Sequence, residues 1–130
     1  MAGSNMLERT ILLDPQPGGV LPEFHIKKGT SSMRLRILIA PDGITDFMYK
    51  PTILRGIRPD GVEVSDRAAC YYENLKICVH VYESVVRRMA EVPGRYKMTL
   101  TIVGKSGSVS VNNYMDYDIQ TVLPFMVIVE

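Results

Sequence analysis

Along this chain, apolar and polar residues alternate at every second position in run after run. Met33, Leu35, Ile37 and Ile39 alternate with Arg34, Arg36 and Leu38. In an extended strand successive side chains point to opposite sides, so this run has one apolar face and one mostly basic face. Tyr96, Met98, Leu100 and Ile102 alternate in the same way with Lys97, Thr99 and Thr101, and Ile77, Val79 and Val81 share a face within Leu75 to Tyr82. Turn signals separate the runs: Ala40-Pro41-Asp42-Gly43, Arg58-Pro59-Asp60-Gly61 and Gly104-Lys105-Ser106-Gly107. In such turns Pro presets φ and Gly supplies positive φ. Short β-type runs at this rhythm predict an all-β sandwich or barrel.

The remaining elements are read the same way. Thr10 to Leu13 is a strand that stops at the Pro- and Gly-rich segment Asp14 to Gly19, and Phe24 to Lys28 is a second strand, ending at Gly29. Residues 44 to 50 read as loop. Thr52 to Arg58 pairs through the Pro-Asp-Gly turn with Val62 to Val64. Ala68 to Tyr72 and Leu75 to Tyr82 are two further strands joined at Glu73-Asn74. One helix is predicted over Glu83 to Val92, because Val85, Val86, Met89 and Ala90 have helical spacing. Ser84 is its expected N-cap, and Pro93-Gly94 ends it. Ser108 to Val111 and Tyr114 to Ile119 are candidate strand pieces. The closing run Phe125 to Val129 shows no polar alternation, so it is either buried on both faces or packed on a neighbouring chain. No repeat or linker interrupts the pattern. The reading is a single domain over residues 1–130 with an N-terminal arm over residues 1–22.

Composition narrows the function classes. Hydrophobic residues make up 46% and charged residues 22%, the balance of a folded globular chain. A net charge of +1 offers no general attraction to nucleic acid, and Lys27-Lys28 and Arg87-Arg88 read as solvated surface pairs. No stretch approaches the roughly 18 apolar residues of a membrane span, and Ile11 to Leu13 is too short for a signal-peptide core. The chain is therefore expected to be soluble, without nucleic acid or membrane as partner. Cys70 and Cys78 are close enough for a disulfide if they face each other across a hairpin; a reducing cytosol would leave them as small apolar residues.

The sequence offers no acid–base set with an orienting partner, so the chain is read as a non-enzyme without cofactor or metal. Gly104-Lys105-Ser106-Gly107 ends in part like a phosphate loop, but Thr99 stands where the leading Gly belongs. Cys78 and His80 share a strand face and read as packing partners. His25 alternates with apolar neighbours and is placed on the exposed face. Asp116 and Asp118 lack the surrounding oxygen-rich loop that calcium requires. Tyr49, Tyr71, Tyr72, Tyr82, Tyr96, Tyr114 and Tyr117 outnumber the Phe residues, and Tyr is a residue favoured at protein interfaces.

The order of these motifs resembles one family. Arg55-Gly56-Ile57-Arg58-Pro59-Asp60-Gly61 is similar to the hairpin of phage baseplate upper protein N-terminal domains. Lys28-Gly29-Thr30 and Met33 to Ala40 look like the turn and strand before that hairpin. Lys76 to Tyr82, Glu83 to Gly94, Tyr96 to Gly107 and Asn113 to Ile119 look like the pieces that follow it. The resemblance spans roughly residues 10 to 120. It implies an all-β, immunoglobulin-like β-sandwich of about eight strands with one short helix. It also implies a bacteriophage virion structural protein, an adaptor domain at the baseplate or tail fibre. Such a protein is made in the host bacterial cytoplasm and assembles with other virion proteins as a homo-oligomer, with a trimer the symmetry to test.

Two departures qualify the resemblance, the end of the chain and the long Pro-rich segment Asp14 to Pro22, which is suited to reach across to a neighbour. Family members usually continue into a helical stalk and a receptor-facing region, whereas this chain stops at Glu130 after an extra apolar strand. The attachment half of the role is then what remains. Capsid decoration or head-fibre anchoring is the near alternative, a carbohydrate-binding β-sandwich module is the second, and a small hydrolase is the third. Interface candidates by position are Pro15, Pro17, Val20, Leu21 and Phe24 near the arm, Tyr114 and Tyr117, and Phe125 and Val127 in the closing strand. Pro-flanked arms that add to exposed strand edges offer a physical mechanism.

Overall fold

The computed structural model describes residues 7–13, 20–39, 46–47, 52–73, 76–105 and 119–130. Their strands are β1 (Leu7–Leu13), β2 (Glu23–Ile26), β3 (Met33–Ile39), β4 (Asp46–Phe47), β5 (Thr52–Ile57), β6 (Glu63–Glu73), β7 (Lys76–Val81), β8 (Gly94–Lys105) and β9 (Ile119–Val129). Among the described residues there is one helix, α1 (Glu83–Met89), which joins β7 to β8. The strands follow one another in the order β1-β3-β7-β6-β5-β8-β9-β2, with β4 paired to β8. This path folds into two sheets, as expected of an all-β sandwich.

The fold turns its corner within β6. Glu63 to Ala68 pair with β5 in one sheet, and Ala69 to Glu73 pair with β7 in the other. Two alanines, Ala68 and Ala69, stand where the strand changes sheet, the kind of corner at which a strand bends from one layer to the other. Apart from Val62, the two runs read as separate strands from sequence, Val62 to Val64 and Ala68 to Tyr72, therefore belong to one strand of eleven residues. Similarly, β8 continues through Gly104 and Lys105, where a turn was expected, and Asp46–Phe47 is a short strand within a segment read as loop. Within the segment read as an N-terminal arm, Leu7–Leu13 is also sheet and pairs in parallel with β3.

The core lies between the inner faces of the two sheets. Met33, Leu35, Ile37 and Ile39 of β3 and Ile77, Val79 and Val81 of β7 oppose Leu54, Met98, Leu100, Ile102, Phe125 and Val127. The period-two alternation thus became the buried row of each strand, because one face of each sheet must leave water. Helix α1 adds Val85, Val86 and Met89 to the same cluster. It is shorter than the predicted Glu83 to Val92. Its N-cap is Tyr82, with no side-chain cap bond, so Ser84 does not cap it.

β9 tolerates Pro124 because of where the missing N–H would point. Met126 donates its N–H to the Pro22 carbonyl on the β2 side, at 2.8 Å. Pro124 has the same parity, so its ring nitrogen also faces away from β8, ahead of the first residue of β2. No β8–β9 ladder bond is lost there.

Candidate functional site

A connected polar centre of the described residues lies at the C-terminal end of α1. A helix leaves its last carbonyls without intrahelical partners. Here three consecutive ones are taken up by three separate parts of the chain. The Arg58 guanidinium donates to the Arg88 carbonyl at 2.9 Å, the Tyr96 hydroxyl to the Met89 carbonyl at 2.8 Å, and the Gly29 N–H to the Ala90 carbonyl at 2.9 Å. Arg58 comes from the β5–β6 hairpin, Tyr96 from β8, and Gly29 from the turn after β2. A cation at this end also complements the partial negative charge of the helix C-terminus.

Arg58 is held firmly. Its side chain is 8% exposed and forms a bidentate pair with Asp60, Nε to Oδ1 at 3.0 Å and Nη2 to Oδ2 at 2.7 Å. Nη1 also donates to Glu91 at 3.1 Å. The hydrogen bonds from Arg58 hold the Asp60 carboxyl below its usual range, and those carboxylates raise the Arg58 pKa further. Tyr96 shifts upward because burial disfavours the phenolate. Pro59 of the same hairpin packs on Gly94, where an added Cβ would lie 2.7 Å from the proline Cγ. The hairpin motif is therefore a clamp that fixes the helix to the sheet.

A second polar cluster lies on the outer face at the β2 edge. His25 is exposed, as expected, and bridges Glu130 through Nδ1 at 3.1 Å and Glu23 through Nε2 at 3.0 Å. Glu23 also accepts from Arg95 at 3.2 Å. Hydrogen bonds to Glu130 and then Glu23 raise the His25 pKa above its ordinary 6.5. Among the described residues no group of three or more His, Cys, Asp or Glu could hold a metal ion, and no helix is long and apolar enough to cross a membrane.

The predicted interface residues divide sharply. Phe24, Phe125 and Val127 lie on the inward-facing rows of β2 and β9 and are buried in the chain's own core. Val20 is almost fully exposed and Leu21 is half-buried. Pro15, Pro17, Tyr114 and Tyr117 lie outside the described residues, as do Tyr49, Asp116, Asp118, Ser106 and Gly107. Tyr82 is exposed and Tyr96 buried, while the side chains of Tyr71 and Tyr72 are outside the described set. Cys78 is buried and not disulfide-bonded, and the β6–β7 register sets it opposite Tyr71, not Cys70. His80 is half-buried beside it on the same strand face. The Arg58 cluster escaped the sequence reading because Glu91 is distant in the chain; the only local hint was an Arg ahead of Pro-Asp-Gly.

The fold has a solved likeness. The N-terminal domain of ORF48 of phage TP901-1 matches with a TM-score of 0.50 at 11% identity, over 96% of this chain and 99% of that one. At that identity the likeness is one of fold, and it extends over both chains almost end to end. No protein-family model matches the chain, and no curated protein does.

Proposed function

We propose that this chain is a structural protein of a tailed-phage particle, an adaptor domain at the baseplate or tail fibre that assembles with other virion proteins. The observation that carries the reading is the end-to-end likeness of fold to a phage protein domain. The helix-end clamp adds support. The motif pieces that resemble phage baseplate upper protein N-terminal domains, the hairpin, the turn at Gly29, the helix end and the strand at Tyr96, meet at one place in the structure. A shared order of motifs would follow from a shared need to build that junction. The adaptor acts as a homo-oligomer, with a trimer the first symmetry to test, and capsid decoration is the alternative location.

Mass spectrometry of tailed particles purified from the source bacterium tests the role. The chain should be present in fixed ratio to tail proteins, and cryo-electron microscopy should place its density at the baseplate or tail tip. Density on the capsid would move the role to decoration. Absence from purified particles would sink the virion reading. Light scattering of the purified chain over a concentration range tests the oligomer, and a monomer at every concentration would remove it.

A further inference from the structure

The strand order begins at β1 and finishes at β2, and no described residue pairs with the outer side of either. Among the described residues, no strand closes the sandwich between these two edges. A groove of about 640 Å³ runs there, with Ile26 and Met33 at its base and Leu7, Arg9, Lys27 and Glu130 on its walls. The β1–β3 register pairs Leu7 with the core residue Met33, and Arg9 with Leu35, so both belong to the core-facing row of β1. Leu13, at the far end of that row, is 1% exposed, whereas Leu7 is 63% exposed. Among the described residues, then, the sandwich covers one end of this row and leaves the other bare.

Among the described residues, the outer backbone edge of β1 is unpaired as well. Leu7 donates its N–H to Ser32 on the β3 side at 3.1 Å. By strand alternation Glu8, Thr10 and Leu12 turn their N–H and C=O groups outward, a row that can take another strand. Charge selects the strand. Arg9 and Lys27 form no ion pair with a described residue, while Glu130 is engaged by His25. An inward-pointing charge on an edge strand discourages indiscriminate pairing, and it favours a partner that brings a carboxylate to that position. A second copy would instead bring its own Arg9 and Lys27 to the groove, as a two-fold contact presents the same patch from both sides.

We propose that this seam is an acceptor site for an extended, acidic segment of a partner protein. The segment adds along the β1 edge, sets an apolar side chain against Leu7, Ile26 and Met33, and places a carboxylate two residues away against Arg9 and Lys27. Spacing by two follows from the alternation of a strand. The identity of the partner as a virion protein rests on the function proposed above; the geometry of the site does not.

A blocked peptide Thr-Ile-Thr-Asp-Thr-Ile-Thr is the probe, with Lys in place of Asp as control, titrated into the isotopically labelled whole chain. Amide shifts should concentrate in β1 and around Ile26, with the Asp peptide binding roughly tenfold more tightly than the Lys peptide. The paired substitutions Arg9→Glu and Lys27→Glu, both at exposed side chains, should reverse that preference while the remaining spectrum stays native. Equal binding of the two peptides, shifts mapping away from the seam, or no shifts at all would overturn the proposal. Concentration-dependent self-association abolished by the same charge reversals would overturn it too, in favour of a second copy. None of these results bears on whether the chain is present in particles, so the two readings fail separately.

Discussion

Arg58 and Arg88 stand thirty residues apart in the chain and are joined by a 2.9 Å hydrogen bond from the Arg58 guanidinium to the Arg88 carbonyl. A hairpin turn is thereby tied to the end of a helix that forms later in the sequence. The same guanidinium binds Asp60 and Glu91, so one side chain connects the turn, the helix end and the residue just past it.

Removing that side chain should loosen the junction. Arg58→Ala is expected to destabilise the chain by about 2–3 kcal/mol, as expected for lost hydrogen bonds to charged partners at a mostly buried group. Urea unfolding reads this as a lower midpoint at unchanged slope. Glu91→Gln, at a more exposed partner, should cost far less. Equal losses would show that the pair with Asp60 is not the dominant contact.

Gly94 begins β8 with φ at +134°, directly against Pro59. Gly94→Ala should cost about 1–3 kcal/mol, from both the backbone conformation and the clash. Combining it with Pro59→Ala should recover the steric part only, leaving a coupling between the two sites in a double-mutant cycle. Strict additivity would mean that the contact contributes nothing.

His25 makes stability depend on pH. Its folded-state pKa is raised above 6.5 by Glu130 and Glu23. The bridging contribution is therefore fully present below 6.5 and is lost as pH rises through the higher folded value. The melting temperature of the wild type should exceed that of His25→Asn at the acidic end of this window, and the two should converge at its alkaline end. A difference that grows with pH would contradict the assignment, as would a His25 titration by NMR at or below 6.5.

The two faces of β9 should respond differently to substitution. Phe125 is fully buried, and Phe125→Ala should cost about 3–5 kcal/mol in chemical denaturation. Val122 is 54% exposed on the opposite face, and Val122→Ser should fall within about 0.5 kcal/mol. A mild Phe125→Ala that instead abolished self-association would return this residue to the interface.

Much of the fold was legible in local pattern. Alternation at Met33 to Ile39, at Ile77 to Val81 and at Tyr96 to Ile102 marked rows that are buried in the structure, since a half-covered sheet must present apolar side chains at every second position. The Pro-Asp-Gly turn marked its hairpin because φ preferences are a property of the residues themselves. What pattern could not decide was anything that depends on a distant neighbour. Apart from Val62, the runs Val62–Val64 and Ala68–Tyr72 proved to be one strand because β5 pairs with its first half and β7 with its second. Phe125 and Val127 were equally apolar as core or as interface, and only the pairing of β9 between β8 and β2 turned them inward. The Arg58 cluster and the seam between β1 and β2 belong to tertiary structure alone. Each is made of residues far apart in the chain, and a single sequence carries no record of which distant groups come within hydrogen-bonding distance.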